Sequence, residues 1–459
     1  VERMGIVTLF TNLTAAIGFG VFYFTRSQIL REFGLVAGVS ILVVFGLSLL
    51  ALPAILSFLK APEKRHMRYL ENRFLSAFLK RFEIWVLHHK QWVTISWAIL
   101  LLVSGAGMMK LRTLGFMVDD LPKQHPIYTD LRYFEQHFHG VMPLEIEIDT
   151  KRKNGTSSLA TIQKLDQLSS LLSACPDLGK PLSLVEALKF ARQAYYDGDS
   201  SSYAVPNAFD LAFLLPYLKT KSDPAHPSSF NSLMRSFVDS SRQYTRISVG
   251  VKDLGSDALP KLIDSIRTQT QAIFDTTHYR LTFTGSSIVF LEGSRFIINS
   301  LRDSLLLALV MIMACMIFLF RSWRIVLISV LTNIIPLAIT AGFMGFAGIY
   351  LKPSTVLVFS VALGIAIDVT IRFLVNYKQD LIHYGHNIPD TVRATIQETG
   401  ISIIYTSLIL AAGFVVFLVS AFDGTRALGY LTALTLVLAM LTNLTILPAL
   451  LVWFDKQKK

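Results

Sequence analysis

One carboxylate interrupts an otherwise apolar run. Asp368 lies within LVFSVALGIAIDVTIRFLVNY, residues 357–377, and Arg372 follows it four residues later. The run has the length of about twenty residues that a helix needs to cross a ~30 Å hydrocarbon core. An ionisable side chain at that depth costs roughly 2.5–3.5 kcal/mol on insertion scales, so it is rarely idle or turned to lipid. The spacing puts Arg372 on the face of Asp368, within reach of an i,i+4 pair. Gly364 stands one turn earlier on that face and admits the close approach of a neighbouring backbone. A pair that merely neutralised itself would be replaced more cheaply by apolar residues. The chemistry favoured is an ion relay, with the carboxyl alternating between charged and paired with Arg372, and neutral and freed from it. Pro336, with Thr332, Asn333 and Thr340 nearby, marks another span as kinked and polar-faced, a hinge for such a rearrangement.

Other chemistries lack their residues. His137 and His139 bracket Phe138, a spacing that can bind metal on a strand, but no His or Cys cluster lies near them in the sequence and they read as surface histidines. No nucleotide-binding loop or nucleophile constellation appears, so neither an enzyme nor a cofactor is expected. The chain of 459 residues is 52% hydrophobic and 16% charged, which excludes disorder and points to a polytopic membrane protein with a substantial water-exposed part. A net charge of +11 does not indicate nucleic acid, because Lys and Arg gather in short segments between apolar runs, the positive-inside pattern. Cys175 and Cys315 fall in a loop region and an apolar span, and no disulfide framework is expected.

The elements that must position Asp368 follow from hydropathy. Residues 1–59 hold two spans, at 5–24 and 34–59. Residues 60–91 are a basic, amphipathic cytoplasmic linker; Leu75, Phe78, Leu79, Phe82 and Trp85 recur at helical spacing and predict a helix lying along the headgroups. A third span covers 92–109, and hydropathy then collapses over 110–287. Within that region, 143–150, 246–251 and 279–284 alternate as strands, whereas 159–172, 184–194 and 259–274 carry helical patterns. They predict an α/β domain outside the membrane, with 200–229 as an irregular insert. Residues 288–454 return to five spans, at 301–320, 325–349, 354–377, 401–420 and 427–454, with a cytoplasmic loop at 378–399 and a basic cytoplasmic tail at 455–459. The expected fold is an α-helical polytopic membrane protein of eight transmembrane helices with an inserted α/β extracytoplasmic domain.

The two ends of the chain repeat one another. TNLTAAIGFGVFYFT at 11–25 matches TSLILAAGFVVFLVS at 406–420 without a gap, an offset of 395 residues. The same offset carries Gly5 onto Gly400, Arg31 onto Arg426, Gly34 onto Gly429 and Leu52-Pro53-Ala54 onto Leu447-Pro448-Ala449. Duplicated halves are a recurring device of transporters, with the site where the halves meet. The spans before residue 60 correspond to the last two of a first half, so the chain reads as a C-terminal portion. One span, a second external domain and three further spans are expected upstream.

GIAIDVTIRFLVNY, TSLILAAGFVVFLVS, LPALL near the end of the last span and FEQHFHGVMPLEIEIDT together resemble the RND (resistance-nodulation-division) superfamily. The branch most similar is that of the MMPL, hopanoid-exporter and Patched-like proteins, and the resemblance covers essentially the whole chain. It implies that the domain at 110–287 is of the porter type and that Asp368 is a proton-relay acid, supported by Arg372. Thr406 and Ser407 are implied as hydrogen-bond partners from the following span, with Gly364, Gly413 and Pro336 serving packing and hinge. Two positions depart from the pattern. Val369 stands where relatives carry Tyr or a second acid, and Asn443 stands where many carry an acid. The resemblance implies export of a hydrophobic or lipid-like substrate from the inner (cytoplasmic) membrane, driven by the proton motive force. Its partners are the membrane, protons, the lipid-like substrate and the missing first half or an oligomeric partner. A sterol-sensing or Patched-like lipid receptor and a Sec-associated protein-translocation motor are the alternatives.

Overall fold

The computed structural model describes residues 2–25, 28–59, 73–116, 120–140, 142–207, 209–210 and 236–454. They form two compact units, Val1–Thr113 with Phe296–Lys459, and Leu114–Arg295. In chain order the elements are α1 (Glu2–Gly20), ending in a 3-10 turn at Val21–Phe24, α2 (Gln28–Phe58), α3 (Arg73–His88) and α4 (Lys90–Met108). There follow α5 (Pro126–Phe138), β1 (Met142–Asp149), α6 (Leu159–Ser173), α7 (Leu184–Tyr195), β2 (Tyr244–Val251), α8 (Gly255–Ile273) and β3 (Arg280–Thr284). The chain closes with α9 (Ser286–Phe320), α10 (Trp323–Ala347), α11 (Pro353–His383), α12 (Ile388–Val415), α13 (Asp423–Leu444) and α14 (Ile446–Phe454).

Seven helical stretches among the described residues are long and apolar enough to cross a membrane: Arg31–Phe58, Lys90–Met108, Ser286–Phe320, Trp323–Ala347, Pro353–His383, Ile388–Val419 and Asp423–Phe454. Of the eight expected spans, the one at 5–24 falls short of that measure, with Thr11–Phe24 a shorter apolar helix. Two boundaries differ from expectation. The loop expected at 378–399 is mostly helix, because α11 runs on to His383 and α12 already starts at Ile388. Pro389 sits in the first turn of α12, where a missing N–H costs nothing, and Val392 and Ile396 bury one face of that extension. The last span breaks at Thr445, whose φ of −123° and ψ of −65° leave the helix.

Close backbone approach sets the packing of the bundle. Along α4 and α10, Ser104 and Gly107 face Gly342 and Gly345; a Cβ on Gly342 would lie 2.5 Å from Ser104 Cα. Small residues let the helices touch where lipid supplies no hydrophobic drive. The apolar residues of α3 divide between the bundle core and the surface. Leu79, Phe82 and Val86 are buried in the bundle core, while Phe78, Ile84 and Trp85 are exposed. Glu83 on the inner face accepts from Arg393 Nε at 2.7 Å and from Gln397 Nε2 at 2.8 Å, which ties α3 to α12. Residues 60–72 of the expected linker and the tail at 455–459 lie outside the described residues.

The second unit is a three-stranded antiparallel sheet in the order β2-β1-β3, with Ile146 opposite Ile247 on one side and Phe283 on the other. Leu144, Ile146 and Ile148 alternate inward on β1 and Ile247, Val249 and Val251 do so on β2. They pack with Leu165, Leu168 and Leu172 of α6 and Ile263 and Ile266 of α8 in one core. Of the insert expected at 200–229, only 200–207, 209 and 210 are described.

Asp239 organises the turn into β2. Its Oδ1 accepts the N–H of Gln243 and of Tyr244, both at 2.8 Å, and its Oδ2 accepts the N–H of Ser241 at 3.0 Å and the Ser241 hydroxyl. Burial by itself pushes this carboxyl up, but the Ser241 hydroxyl and the backbone N–H groups outweigh it and hold it below the ordinary carboxylate range. A lowered carboxyl stabilises the fold above its unfolded-state value and loses that contribution as pH falls through its folded-state value. Asp239→Ala is therefore expected to cost about 1–3 kcal/mol at neutral pH, the range for orphaned hydrogen-bonding groups. Amide exchange across β2 should speed up in the variant at pH 7, and the gap from wild type should narrow in acid.

Candidate functional site

α11 starts where the sequence caps it. Pro353 occupies the first turn, and the Lys352 N–H donates to Thr355 Oγ1 at 2.9 Å. The helix packs against α1, α10, α12 and α13 and buries Val358, Ala362, Leu363, Ala366, Ile367, Ile371 and Phe373. Asp368 and Arg372 lie on the stripe left least covered, with Ile365, Val375 and Asn376. There Arg372 Nη2 donates to Asp368 Oδ2 at 2.7 Å and Nε to Oδ1 at 3.3 Å. Both carboxylate oxygens are engaged by one fork, the geometry that gives Arg–carboxylate pairs their strength. The side chains are 16% and 35% exposed, so the carboxylate is the better sheltered of the two.

The neighbour admitted by Gly364 is α1. A Cβ on Gly18 would stand 3.1 Å from Gly364 Cα, and Thr11, Thr14 and Gly18 form the buried stripe of α1. The two threonines are 2% and 1% exposed, with hydroxyls donating to Thr8 O at 3.0 Å and Thr11 O at 2.9 Å. Their sequence signal is the repeat itself, since Thr11 is the counterpart of Thr406.

The other expected site residues are dispersed. Thr406 is half-buried and donates to Ser402 O of its own helix at 2.8 Å, while Ser407 is buried. Gly413 has open space where a Cβ would stand. Pro336 lies inside α10, which continues through it, and Thr340 Oγ1 donates to Pro336 O at 2.9 Å. Val369 is buried in the apolar core. Asn443 joins Thr370 and Asn333 instead of Asp368, since Thr370 Oγ1 lies 2.7 Å from Asn443 Oδ1 and 3.0 Å from Asn333 Oδ1. Two residues along a helix turn the side chain by about 200°, so this cluster occupies the other side of α11. Thr370 had no signal beyond being a polar residue at a core position.

His137 stacks on Tyr133 with ring centroids 4.0 Å apart, and its Nδ1 lies 2.8 Å from Tyr133 O. His139 ends α5 in the left-handed region, so the pair sits at a helix end and not on a strand. Among the described residues no group of three or more His, Cys, Asp or Glu could hold a metal ion.

A family model described as the MMPL family matches residues 161–458. The membrane protein ActII-3 of Streptomyces coelicolor is 25% identical over 156 residues, 33% of this chain and 22% of its own length. The membrane protein MJ1562 of Methanocaldococcus jannaschii is 28% identical over 144 residues, 31% of this chain and 37% of its own length. The matches thus span well under half of either relative.

At the α1–α11 crossing a Cβ on Gly18 would press on Gly364 Cα at 3.1 Å, and a larger side chain would force the helices apart, whereas a Cβ on Gly20 would meet nothing within 4 Å. Gly18→Ile should destabilise the bundle by about 1–3 kcal/mol, the usual cost of overpacking. Gly20→Ala should leave the melting temperature of the purified protein unchanged.

Proposed function

The chain belongs to the MMPL family of membrane transporters, and we propose that it serves proton-driven export of a hydrophobic or lipid-like substrate, with Asp368 as the group that exchanges the proton. The observation that carries this reading is the fork of Arg372 on Asp368 at 2.7 Å and 3.3 Å inside a membrane-capable helix. A charge pair in that position is retained for work and not for cheap stability. A proton moving through 100 mV releases about 2.3 kcal/mol, enough to bias an ion pair between closed and open forms.

The rest of the proposal follows from what such a site needs. Transferring an acyl chain into water costs about 0.8 kcal/mol per CH₂, so one proton cannot lift a long tail bare and the tail must be shielded. The α/β unit, as an extracytoplasmic porter-type domain, is the proposed shield. The partly uncovered stripe of Asp368 and Arg372 would be expensive against lipid, which favours a further bundle half covering it. α1 with its 3-10 turn is proposed as the eighth span and, with α2, as the end of that other half.

Local geometry supports the duplication. Gly34 abuts Phe22 Cβ and Phe19 O, and Gly429 abuts Phe417 Cβ and Phe414 O. A 3-10 turn follows each first helix, at Val21–Phe24 and Val416–Val419. The offset of 395 residues relates every member of these sets. On this reading the half-buried Thr406 and open Gly413 of α12 are the counterparts of the buried Thr11 and Gly18, placed to meet the first-half counterpart of α11.

An amide has nearly the shape of a carboxylate but cannot trade a proton. Asp368→Asn should reach the membrane at wild-type levels and lose transport, while Arg372→Gln should retain part of it. Efflux of a fluorescent lipid analogue from proteoliposomes under an imposed pH gradient measures both. Wild-type efflux by Asp368→Asn would remove Asp368 from the coupling.

A further inference from the structure

The cluster behind Asp368 has more oxygens than protons. Thr370, Asn333 and Asn443 come from three helices, α11, α10 and α13, and are 0%, 1% and 0% exposed. Thr370 Oγ1 lies 2.7 Å from Asn443 Oδ1, 3.0 Å from Asn333 Oδ1 and 3.3 Å from Ala366 O. A threonine hydroxyl carries one proton. Whichever of these acceptors it serves, at least one amide oxygen, fully buried, faces another oxygen with no proton between them.

Turning the amides does not relieve this. Asn333 Nδ2 donates to Ser329 O at 2.9 Å and Asn443 Nδ2 to Ala439 O at 2.8 Å, each one turn back on its own helix. Rotating either amide would bring its Oδ1 against that backbone carbonyl and create the same conflict there. A buried polar atom without a partner costs about 1–3 kcal/mol, and two oxygens facing each other without a proton are worse placed than one alone. Such an arrangement is stable when something positive sits among the oxygens.

We propose that Thr370 Oγ1, Asn333 Oδ1 and Asn443 Oδ1 form a binding site for a small monovalent cation of the sodium class. The ligands are hydroxyl and amide oxygens, the hard donors that alkali and alkaline-earth ions take. None is a carboxylate, and the nearest one along α11, Asp368, is already held by Arg372 on the other side of the helix. A divalent ion would meet no compensating negative charge here, whereas a single charge needs less. The hydroxyl lies 2.7 and 3.0 Å from the two amide oxygens, hydrogen-bonding distances, so an ion entering among them must part them and a small ion parts them least. The site is formed wholly by described residues of this chain and does not depend on the proton-exchange reading of Asp368. Ion occupancy would clamp α10, α11 and α13 together, so its first consequence is stability.

The test uses the full chain, purified in detergent and freed of sodium, with choline chloride keeping ionic strength constant. Its melting temperature should rise with added NaCl and keep rising with the logarithm of concentration above the binding constant, as for any ligand of the folded state. LiCl should act similarly and KCl more weakly. Thr370→Val, which keeps the shape and removes the hydroxyl, should abolish the response, and Thr370→Ser should restore it. Asp368→Asn should keep the sodium response in full. If Thr370→Val does not fold, equilibrium dialysis of the wild-type chain with radioactive sodium decides the matter by showing saturable uptake of about one ion per chain, as for a single site. No difference between sodium and choline, an equal response to potassium, or a response lost in Asp368→Asn and kept in Thr370→Val would each overturn the assignment.

Discussion

A guanidinium and a carboxylate joined by two hydrogen bonds on one face of an apolar helix constrain much of what surrounds them. Neither charge is tolerable against hydrocarbon, and the pair together is still costly to desolvate. α11 therefore has to be central. It is packed by α1, α10, α12 and α13, and its remaining stripe carries Asp368 and Arg372. The glycine one turn before Asp368 serves the same end. Gly364 against Gly18 brings α1 to backbone distance, so protein and not lipid lies beside the turn that precedes the carboxylate.

Two sides of one helix then do different things. The Asp368 side holds formal charge and is left partly uncovered through the middle of α11. The Thr370 side is sealed between α10 and α13 and holds neutral oxygens. A change in the state of either side acts on the same rigid element, because α11 is continuous from Pro353 to His383.

Much of this was legible in the sequence. The membrane helices, the three strands and the pairing of Asp368 with Arg372 follow from hydropathy and from residue spacing, both local properties. Strand ends moved by one or two residues, and the loop at 378–399 became helix because Val392 and Ile396 find a buried face that hydropathy averaging blurs. What spacing could not supply was which helix faces which. Spacing makes Thr406 and Ser407 natural neighbours of Asp368, yet Thr406 bonds within its own helix, and the helix that meets Gly364 is α1, with its own buried Thr11 and Thr14. The proposed duplication would account for the exchange, since an element of one half can serve the other half's site. Asn443 pairs with Thr370 for a similar reason, because rotation about α11 is invisible until α13 is packed.

The account rests on Asp368 changing its protonation while the fold stays intact. Infrared difference spectroscopy of the protein in lipid, recorded as the pH is lowered, observes that carboxyl directly. The account predicts a carboxylic-acid C=O band that grows as the pH falls, is missing in Asp368→Asn and changes its pH dependence in Arg372→Gln. A spectrum in which every protonating carboxyl survives in Asp368→Asn would show Asp368 locked as a permanent ion pair, and would contradict the account.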